Sequence, residues 1–341
     1  MKKNPTIRDV AKASGVSVAT VSRILNDKPD VSEETRQTVL QTINEIGYAR
    51  RTQWQQITSG KSRVILLHYP RNIRVQNQIS HEFIIGAAAA CEEYGYSLQL
   101  MTQSLDENRL LDVYRSQKSD GIILMEIRLN DWRVELLRKN QLPFVMIGRC
   151  QENDGVSFID LDFETAVSLA VDHLTASGHK HIGFVSIKPQ TKRKRYGPAI
   201  RASEGYHNAC EKHNLPNLYF EAGQGLQNIK EATLNFLNTH PETTAIVSAS
   251  DMVLTGIINA VQTLGLQIPN DMSIIGLTND QGAQMIAPSP TAIAFPSWMM
   301  GYEAGKLLIE KLEKGTADVV QNLIEPQLVI RDSSGPARAT S

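Results

Sequence analysis

Residues 18–26 bring small, hydroxyl-bearing and cationic side chains together in one short segment. Thr20 and Ser22 can hydrogen-bond to phosphates or bases, and Arg23 can form a bidentate pair with guanine. Small apolar side chains at the start of the segment could contact thymine methyl groups. This chemistry suits the recognition of a DNA surface. The candidate contact residues are Val18, Ala19, Thr20, Ser22, Arg23 and Asn26.

Three short helices are predicted around this segment. Thr6 is a suitable N-cap for the first helix, with Asp9 three residues later, and Gly15 ends it. Ser17 caps the second helix, and Ser32 precedes the third. Two helices joined by a short turn that contains glycine form a helix-turn-helix, whose second helix enters the major groove; a helical bundle without a DNA role is the alternative. The predicted apolar faces are Ile7, Val10 and Ala11; Val21, Ile24 and Leu25; and Val39, Leu40, Ile43 and Ile46.

The runs 6–11, 15–26, 31–36 and 47–48 closely resemble the DNA-binding head of the lactose-repressor (LacI) family. Landmarks such as the run 178–182 extend the resemblance over nearly the whole chain. The resemblance implies a homodimer that binds a pseudo-palindromic operator in double-stranded DNA and represses transcription. The candidate DNA contacts also include Thr6, Ser17 and Ser32, at the starts of the three predicted helices.

A polar stretch, residues 49–61, follows the head and is too short to form a stable helix alone. In the LacI family the matching segment folds into a hinge helix on DNA, which implies that Ile57 wedges between base steps in the minor groove. Arg50 and Arg51 could contact phosphates or stay solvated as linker charges. Trp54 replaces the small residue that is usual in the family, so a flexible tether is the alternative to a hinge helix.

Short apolar runs alternate with helical stretches through the rest of the chain, which predicts parallel sheets covered by helices on both faces. A second series of strands begins near Val156, so we expect two lobes facing each other across a cleft. The fold class is an all-α helix-turn-helix head plus an α/β two-lobed sensor that resembles periplasmic binding proteins. The predicted strands are 64–67, 96–101, 121–125, 144–147, 181–185, 245–248 and 273–277. The predicted domains are the head at 1–48, the hinge at 49–61, the effector-binding and dimerisation domain at 62–332 and a disordered tail at 333–341.

The predicted cleft departs from the LacI pattern at three places. The family motif after Gly276 usually offers an acidic pair, and here the run is Leu277-Thr278-Asn279-Asp280. After the strand 144–147, where many members have an aspartate, this chain has Gly148-Arg149, and Ala202 stands in the place of the family's pocket arginine, with Arg201 one residue before it. We therefore expect Arg149 and Arg201 to hold a small anionic carbohydrate, such as a sugar acid or sugar phosphate; a structural role for either arginine is the alternative. The other effector candidates are Tyr69, Phe83, Asp251, Asn279 and Phe295.

Charge is unevenly distributed along the chain. Residues 1–60 carry nine Lys and Arg against six Asp and Glu, although the formal net charge of the whole chain is −1. A basic head on an acidic body fits DNA binding by the head. The basic run 188–195 could fringe the cleft and attract an anion, or form an exposed loop.

Several functional classes find no support in the sequence. No apolar run is long enough for a membrane helix or an export signal, so we expect a cytoplasmic, nucleoid-associated protein. The three widely spaced cysteines, and the lack of a metal-ligand spacing, a Walker loop or a nucleophile elbow, predict no metal, no cofactor and no enzymatic activity. A cytosolic small-molecule-binding protein without DNA control is the alternative function. The lack of a leucine-rich extension favours a dimer over a tetramer.

Overall fold

The computed structural model describes residues 5–25, 28, 31–46, 61–70, 78–188, 196–315 and 318–338. The chain divides into two compact units, Met1–Ser62 and Arg63–Ser341, and each is described by itself. Within the described ranges, no helix combines the length and the apolar character that spanning a membrane requires.

The first unit contains three helices, α1 (Ile7–Ser14), α2 (Val18–Leu25) and α3 (Glu33–Ile46). Thr6 and Asp9 form the predicted capping box, and Gly15 ends α1 in the left-handed conformation with φ at 69°. The prediction that Leu40 faces the core is wrong, since its side chain is 45% exposed. The buried stripe of α3 passes through Thr42 instead, two residues further on. The buried apolar core consists of Val10, Ala11, Val21, Ile24 and Val39.

The second unit contains two six-stranded sheets. The first comprises β1 (Val64–His68), β2 (Ser97–Met101), β3 (Gly121–Leu124), β4 (Phe144–Ile147), β5 (Phe158–Leu161) and β11 (Gln321–Ile324), in the spatial order β11-β5-β4-β3-β1-β2. The second comprises β6 (Ile182–Ile187), β7 (Leu218–Ala222), β8 (Ala245–Ser248), β9 (Ser273–Thr278), β10 (Thr291–Ala294) and β12 (Leu328–Val329), in the order β12-β10-β9-β8-β6-β7. Neighbouring strands are parallel except for the antiparallel pair β10 and β12. The seven predicted strands are confirmed to within two residues at each end.

Helices flank both sheets of the second unit. The first three along the chain are α4 (Gln78–Glu93), α5 (Glu107–Arg115) and α6 (Trp132–Lys139), and the next, α7 (Phe163–Ala176), packs on strands of the second sheet. Those of the second half are α8 (Gly197–His213), α9 (Leu226–Thr239), α10 (Leu254–Thr263), α11 (Asp280–Gln284) and α12 (Ser297–Lys314). The α12 helix packs on α4 and on β3 and β4, so it belongs to the lobe of the first sheet.

One strand lies in a different lobe from the one predicted. The series expected to open the second lobe near Val156 starts with β5, but β5 pairs in parallel with β4 and belongs to the first sheet. Periodicity cannot assign a buried strand to a sheet, because its apolar run is the same in either. The chain crosses between the lobes after β5, after β10 and again between β11 and β12.

The C-terminal residues 333–338 dock on the second sheet. Ser333 is fully buried, and its Oγ accepts a hydrogen bond from the Thr291 amide at 2.8 Å and donates to the carbonyl oxygen of Ile274. The prediction of a disordered tail is therefore wrong for these residues. A polar segment has no apolar pattern that predicts order. These residues are ordered by hydrogen bonds to backbone groups of neighbouring strands.

The α4 and α12 helices approach each other through glycines. A Cβ atom at Gly86 would lie 2.0 Å from the Trp298 carbonyl oxygen, and one at Gly301 would lie 2.2 Å from the Phe83 carbonyl oxygen. Both distances are far below an ordinary van der Waals contact, so only glycine permits this packing. Since Phe83 also lines the cavity described below, the packing positions part of that wall.

Replacing Gly301 with Ala is expected to lower the free energy of unfolding by about 1–3 kcal/mol, because the added methyl group overpacks the contact with α4. At an exposed helical position the same exchange would stabilise the fold by roughly 1 kcal/mol. Urea denaturation of the full-length chain measures the change, with Glu92→Ala, an exposed position on α4, as the control. A Gly301→Ala protein as stable as the wild type would contradict the close packing.

Candidate nucleic-acid interface and ligand cleft

The α2 helix presents an exposed surface on the first unit. Val18 is 42% exposed, and Ala19 and Arg23 are also exposed, whereas Thr20 and Ser22 are half-buried. This surface offers two small apolar side chains beside a guanidinium group, the combination that can contact thymine methyls and guanine. The predicted DNA contacts that lie outside the described residues are Asn26, Arg50, Arg51 and Ile57.

Three further predicted contacts cap the head helices. Ser17 Oγ accepts a hydrogen bond from the Thr20 amide at 3.0 Å, and Ser32 Oγ accepts one from the Thr35 amide at 3.4 Å. Thr6 caps α1 within the capping box. Helix N-termini are favourable places for phosphate groups, because their amides and dipoles attract anions. The caps therefore have a structural role that is compatible with a phosphate contact.

A cavity of about 500 Å³ opens in the second unit, between its two lobes. It is lined by residues at the carboxyl ends of β1, β3 and β4 in one lobe and of β6, β8 and β9 in the other. Open α/β sheets bind ligands at this end of their strands. The cavity therefore lies where the sequence predicts a ligand cleft. Its polar lining residues are Ser80, Glu126, Asp160, Ser186, Lys188, Tyr196, Ser203, Glu204, His207, Tyr219, Glu221, Gln224, Ser250 and Asp251.

Aromatic side chains form part of both walls of the cavity. Phe295, which directly follows β10, meets Phe83 of α4 edge-on with ring centroids 5.7 Å apart and lies 5.9 Å from Phe163. In the second lobe, Phe184 stacks on Tyr219 with centroids 6.1 Å apart. Rings of this kind can pack against the apolar face of a cyclic ligand.

The predicted effector residues occupy different places. Tyr69 supports the wall, since its hydroxyl donates to the Oγ atom of Ser80, a lining residue, at 2.7 Å. Asn279 caps α11 instead, where its Oδ1 accepts a hydrogen bond from the Gly282 amide at 2.7 Å. The predicted residues that line the cavity are Phe83, Asp251 and Phe295.

Arg149 does not belong to the described lining of the cavity. Its Nε atom lies 3.5 Å from Asp160, and its Nη2 atom lies 4.0 Å from both Asp162 and Glu164. Three carboxylates of the protein therefore surround this guanidinium. The expectation that Arg149 holds an anionic effector receives no support from this geometry.

Arg201 is also absent from the described lining and bridges the two lobes. It extends from α8 and donates to the carbonyl oxygens of Arg149 at 3.1 Å and Cys150 at 2.8 Å, both in the first lobe. Its Nε atom lies 3.9 Å from Glu164. Burial, together with the nearby Arg149 charge, lowers the pKa of Arg201. These contacts give Arg201 a structural role, and Ala202 lines the cavity.

Asp160, a lining residue that sequence reasoning missed, lies at the end of β5 with only 2% of its surface exposed. Its Oδ1 atom accepts a hydrogen bond from the Leu161 amide at 3.0 Å, whereas Oδ2 forms no hydrogen bond with the described groups and lies 3.5 Å from Arg149 Nε in an ion pair. Burial raises the pKa of this carboxyl to about 7, against the opposing effects of Arg149 and Arg201. A carboxylate in the sequence Phe-Ile-Asp-Leu, inside an apolar strand, is the feature that could have identified it.

A buried network also missed from the sequence supports the cleft floor. Arg133 donates to Asp131 Oδ2 at 2.6 Å, to His68 Nδ1 at 3.1 Å and to the carbonyl oxygens of Met125 and Glu126 at 3.1 and 3.0 Å. Burial, with the Arg133 charge, lowers the pKa of His68 to about 4, so its ring is neutral near pH 7 and can accept this hydrogen bond. Since Met125 and Glu126 line the cavity, the network positions that wall.

Asp160→Asn is expected to change how stability depends on pH. Because the folded pKa of Asp160, about 7, exceeds the value of 3.8 expected in the unfolded chain, loss of its proton destabilises the fold between about pH 4 and pH 7. Relative to wild type, the Tm of Asp160→Asn should rise by about 2–6 °C from pH 5 to pH 8. Thermal unfolding measures this, with the half-buried Asp162→Asn as the control. A Tm difference that stays constant with pH would contradict the raised pKa.

Comparison with known proteins identifies both units. Residues 6–51 match the description "Bacterial regulatory proteins, lacI family", and residues 171–334 match "Periplasmic binding protein-like domain". Catabolite control protein A of Priestia megaterium is 30% identical, over 92% of this chain and 95% of that protein. The ribose operon repressor of Halalkalibacterium halodurans is also 30% identical, over 96% of this chain and 97% of that protein.

The fold agrees with these matches. The crystal structure of the lac repressor dimer bound to operator and the anti-inducer ONPF superimposes with a TM-score of 0.83 at 21% identity, covering 98% of this chain and 100% of that chain. The sequence relatives and the similar structure thus both cover the head and the two-lobed body. The chain belongs to the LacI family of DNA-binding transcriptional regulators.

Proposed function

We propose that this regulator is a homodimeric repressor whose affinity for an operator is controlled by a small carbohydrate-like effector. Residues 1–48 bind DNA, residues 49–61 form the hinge, and residues 62–332 bind the effector and dimerise. The observation that carries the proposal is a ligand-sized cleft of about 500 Å³ in the same chain as a helix-turn-helix head.

The named relatives support a carbohydrate effector. One relative is a ribose operon repressor, and a structurally similar regulator, CelR, is known as a cellobiose complex with a TM-score of 0.72. The aromatic walls of the cleft suit the apolar face of a sugar ring, and its hydroxyl and carboxylate groups suit the ring's polar edge. A neutral or cationic carbohydrate fits the described lining better than a sugar acid or sugar phosphate.

The charge of the lining is the reason for that preference. Lys188 is the only lysine or arginine among the described lining residues, and the other residues of the basic run, 189–195, lie outside the described ranges. Carboxylates repel an anionic ligand at close range and attract a cationic one. The carboxylate residues of the lining are Glu126, Asp160, Glu204, Glu221 and Asp251.

Effector control follows from the two-lobed construction. Three chain crossovers connect the lobes. A ligand that contacts both lobes favours the relative arrangement to which it binds more tightly. A nearly complete switch between two arrangements needs roughly 5.5 kcal/mol of differential binding. The proposed hinge passes this difference to the paired heads on the operator.

Arg23→Ala is expected to weaken binding to an operator selected from random duplexes by about 1–3 kcal/mol, because the variant loses a contact to a base edge. Fluorescence anisotropy with the full-length protein measures the affinity at fixed salt. Arg8→Ala, an exposed arginine on α1, is the control and should weaken selected and random duplexes alike. Equal losses for Arg23→Ala on both kinds of duplex would remove its role in sequence recognition.

Addition of the true effector is expected to change the affinity for that operator at least about tenfold, since it shifts the balance between two lobe arrangements. The same anisotropy titration, repeated with the sugars that bind the cleft, measures the change. A sugar that binds the cleft without altering operator affinity would favour a small-molecule-binding protein without DNA control. Conversion of the sugar during the titration would indicate an enzyme.

A further inference from the structure

The two lobes contact each other directly at the start of α8. The Gly197 amide, in the second lobe, donates a hydrogen bond to the carbonyl oxygen of Ile127 in the first lobe at 3.1 Å. Beside it, Tyr196 and Arg128 form an isolated antiparallel β-bridge. Backbone groups of one lobe thus satisfy those of the other, and they need new partners whenever the lobes separate.

Arg201, one helical turn after Gly197, extends the same contact. Its Nη1 and Nη2 atoms donate to two successive carbonyl oxygens of the first lobe, those of Arg149 at 3.1 Å and Cys150 at 2.8 Å. Only 7% of the Arg201 surface is exposed. A guanidinium group presents its donors in a planar fork, so this one side chain holds two acceptors of the opposite lobe at once.

Arg149 forms a weaker contact in the reverse direction. Its Nη2 atom, in the first lobe, lies 4.0 Å from Glu164 at the start of α7, which packs on strands of the second sheet. The Nε atom of Arg201 lies 3.9 Å from the same carboxylate. Because the Glu164 side chain is 44% exposed, these ion pairs contribute little to the interaction of the lobes. The buried hydrogen bonds of Arg201 are therefore the main side-chain contribution.

The contact lies beside the cleft and depends on its width. The acceptor residues Ile127, Arg149 and Cys150 follow the carboxyl ends of β3 and β4, the same sheet edge that lines the cavity. Separation of the lobes would break the bonds of Gly197 and Arg201 together. Hydrogen bonds with a charged donor are stronger than neutral ones, so their loss on opening favours the arrangement in which the lobes touch.

We propose that Arg201 is a positioning residue that holds the two lobes together when no effector is bound, and thereby sets how far effector binding can shift them. The inference rests on the proposed function, since it concerns the regulation of the same cleft. Arg201 is not among the described lining residues of the cavity, so it acts on a ligand only through the arrangement of the lobes. Loss of its side chain populates an arrangement with separated lobes.

The distance between the lobes can be measured in the full-length protein with two spin labels. Asn108 on α5 and Gln227 on α9 are exposed, and each lies in the first turn of a helix that follows an edge strand, on the cleft side of its lobe. The three native cysteines are buried, so Asn108→Cys and Gln227→Cys supply the labelling sites. Pulsed electron paramagnetic resonance measures the distance, and dilution with wild-type chain isolates the pair within one chain.

Without ligand, the wild type should give one short distance between the labels. Arg201→Ala should add a longer distance, because a minor state of about 1% becomes readily measurable when the lost hydrogen bonds raise its population ratio about 10- to 100-fold. Arg201→Lys keeps the charge but lacks the planar fork, so it should show the same longer distance in a smaller fraction of molecules. Wild-type distances in both variants would overturn the proposal.

Arg133 provides the matched control. It is similarly buried, with 4% of its surface exposed, and it donates to two successive carbonyl oxygens, those of Met125 and Glu126. These acceptors lie in the first lobe, as Arg133 itself does, so Arg133→Lys should lower the Tm without changing the distance between the labels. The same longer distance in Arg133→Lys as in Arg201→Lys would show a general loss of packing and overturn the proposal.

Operator binding separates this inference from the proposed function. If the lobes separate in Arg201→Ala but its ligand-free affinity for the selected operator equals that of the wild type, the arrangement of the lobes does not control the heads. The proposed function then fails and the role of Arg201 stands. If D-ribose or cellobiose changes the operator affinity of the wild type while Arg201→Ala keeps the wild-type distance between the labels, the proposed function stands and the role of Arg201 fails.

Discussion

A buried guanidinium group joins the two lobes on either side of the cleft. Arg201 extends from α8 in the second lobe and donates to the carbonyl oxygens of Arg149 and Cys150 in the first. These bonds must be kept or replaced, because a buried charge that loses its partners costs several kcal/mol, typically about 3–5. A change in the width of the cleft therefore also changes this contact. The geometry of the cleft and the relative position of the lobes thus depend on the same hydrogen bonds.

The position of Arg201 also explains the chemistry of the cavity. Neighbouring residues on an α-helix point about 100° apart. A displacement of one residue along α8 therefore directs the guanidinium toward the junction of the lobes and leaves Ala202 in the cavity wall. Arg149 then takes part in the same buried cluster, with Asp160 and Glu164 as partners. The two arginines that suggest an anion site in the sequence thus contact carboxylates and carbonyl oxygens of the protein itself.

The features that were predicted correctly depend on residues close together in the chain. The capping box of Thr6 and Asp9 and the left-handed Gly15 involve contacts within a few residues. The strand segments follow from short apolar runs. The errors arise where packing decides between equivalent local patterns. Leu40 is apolar and lies in a helix, but it is exposed, because the buried stripe of α3 passes through Thr42.

The sequence alone determined the helix-turn-helix head, the alternation of strands and helices in the body and the presence of two lobes, because capping and periodicity are local properties of the chain. Only the tertiary structure decided that β5 joins the first sheet, that Arg149 and Arg201 face protein groups and that Asp160 lines the cavity. Each of these depends on contacts with residues distant in the chain. The spacing of residues along a single sequence does not show which distant charged groups are buried together. The pairing of those buried groups determines the charge of the cleft.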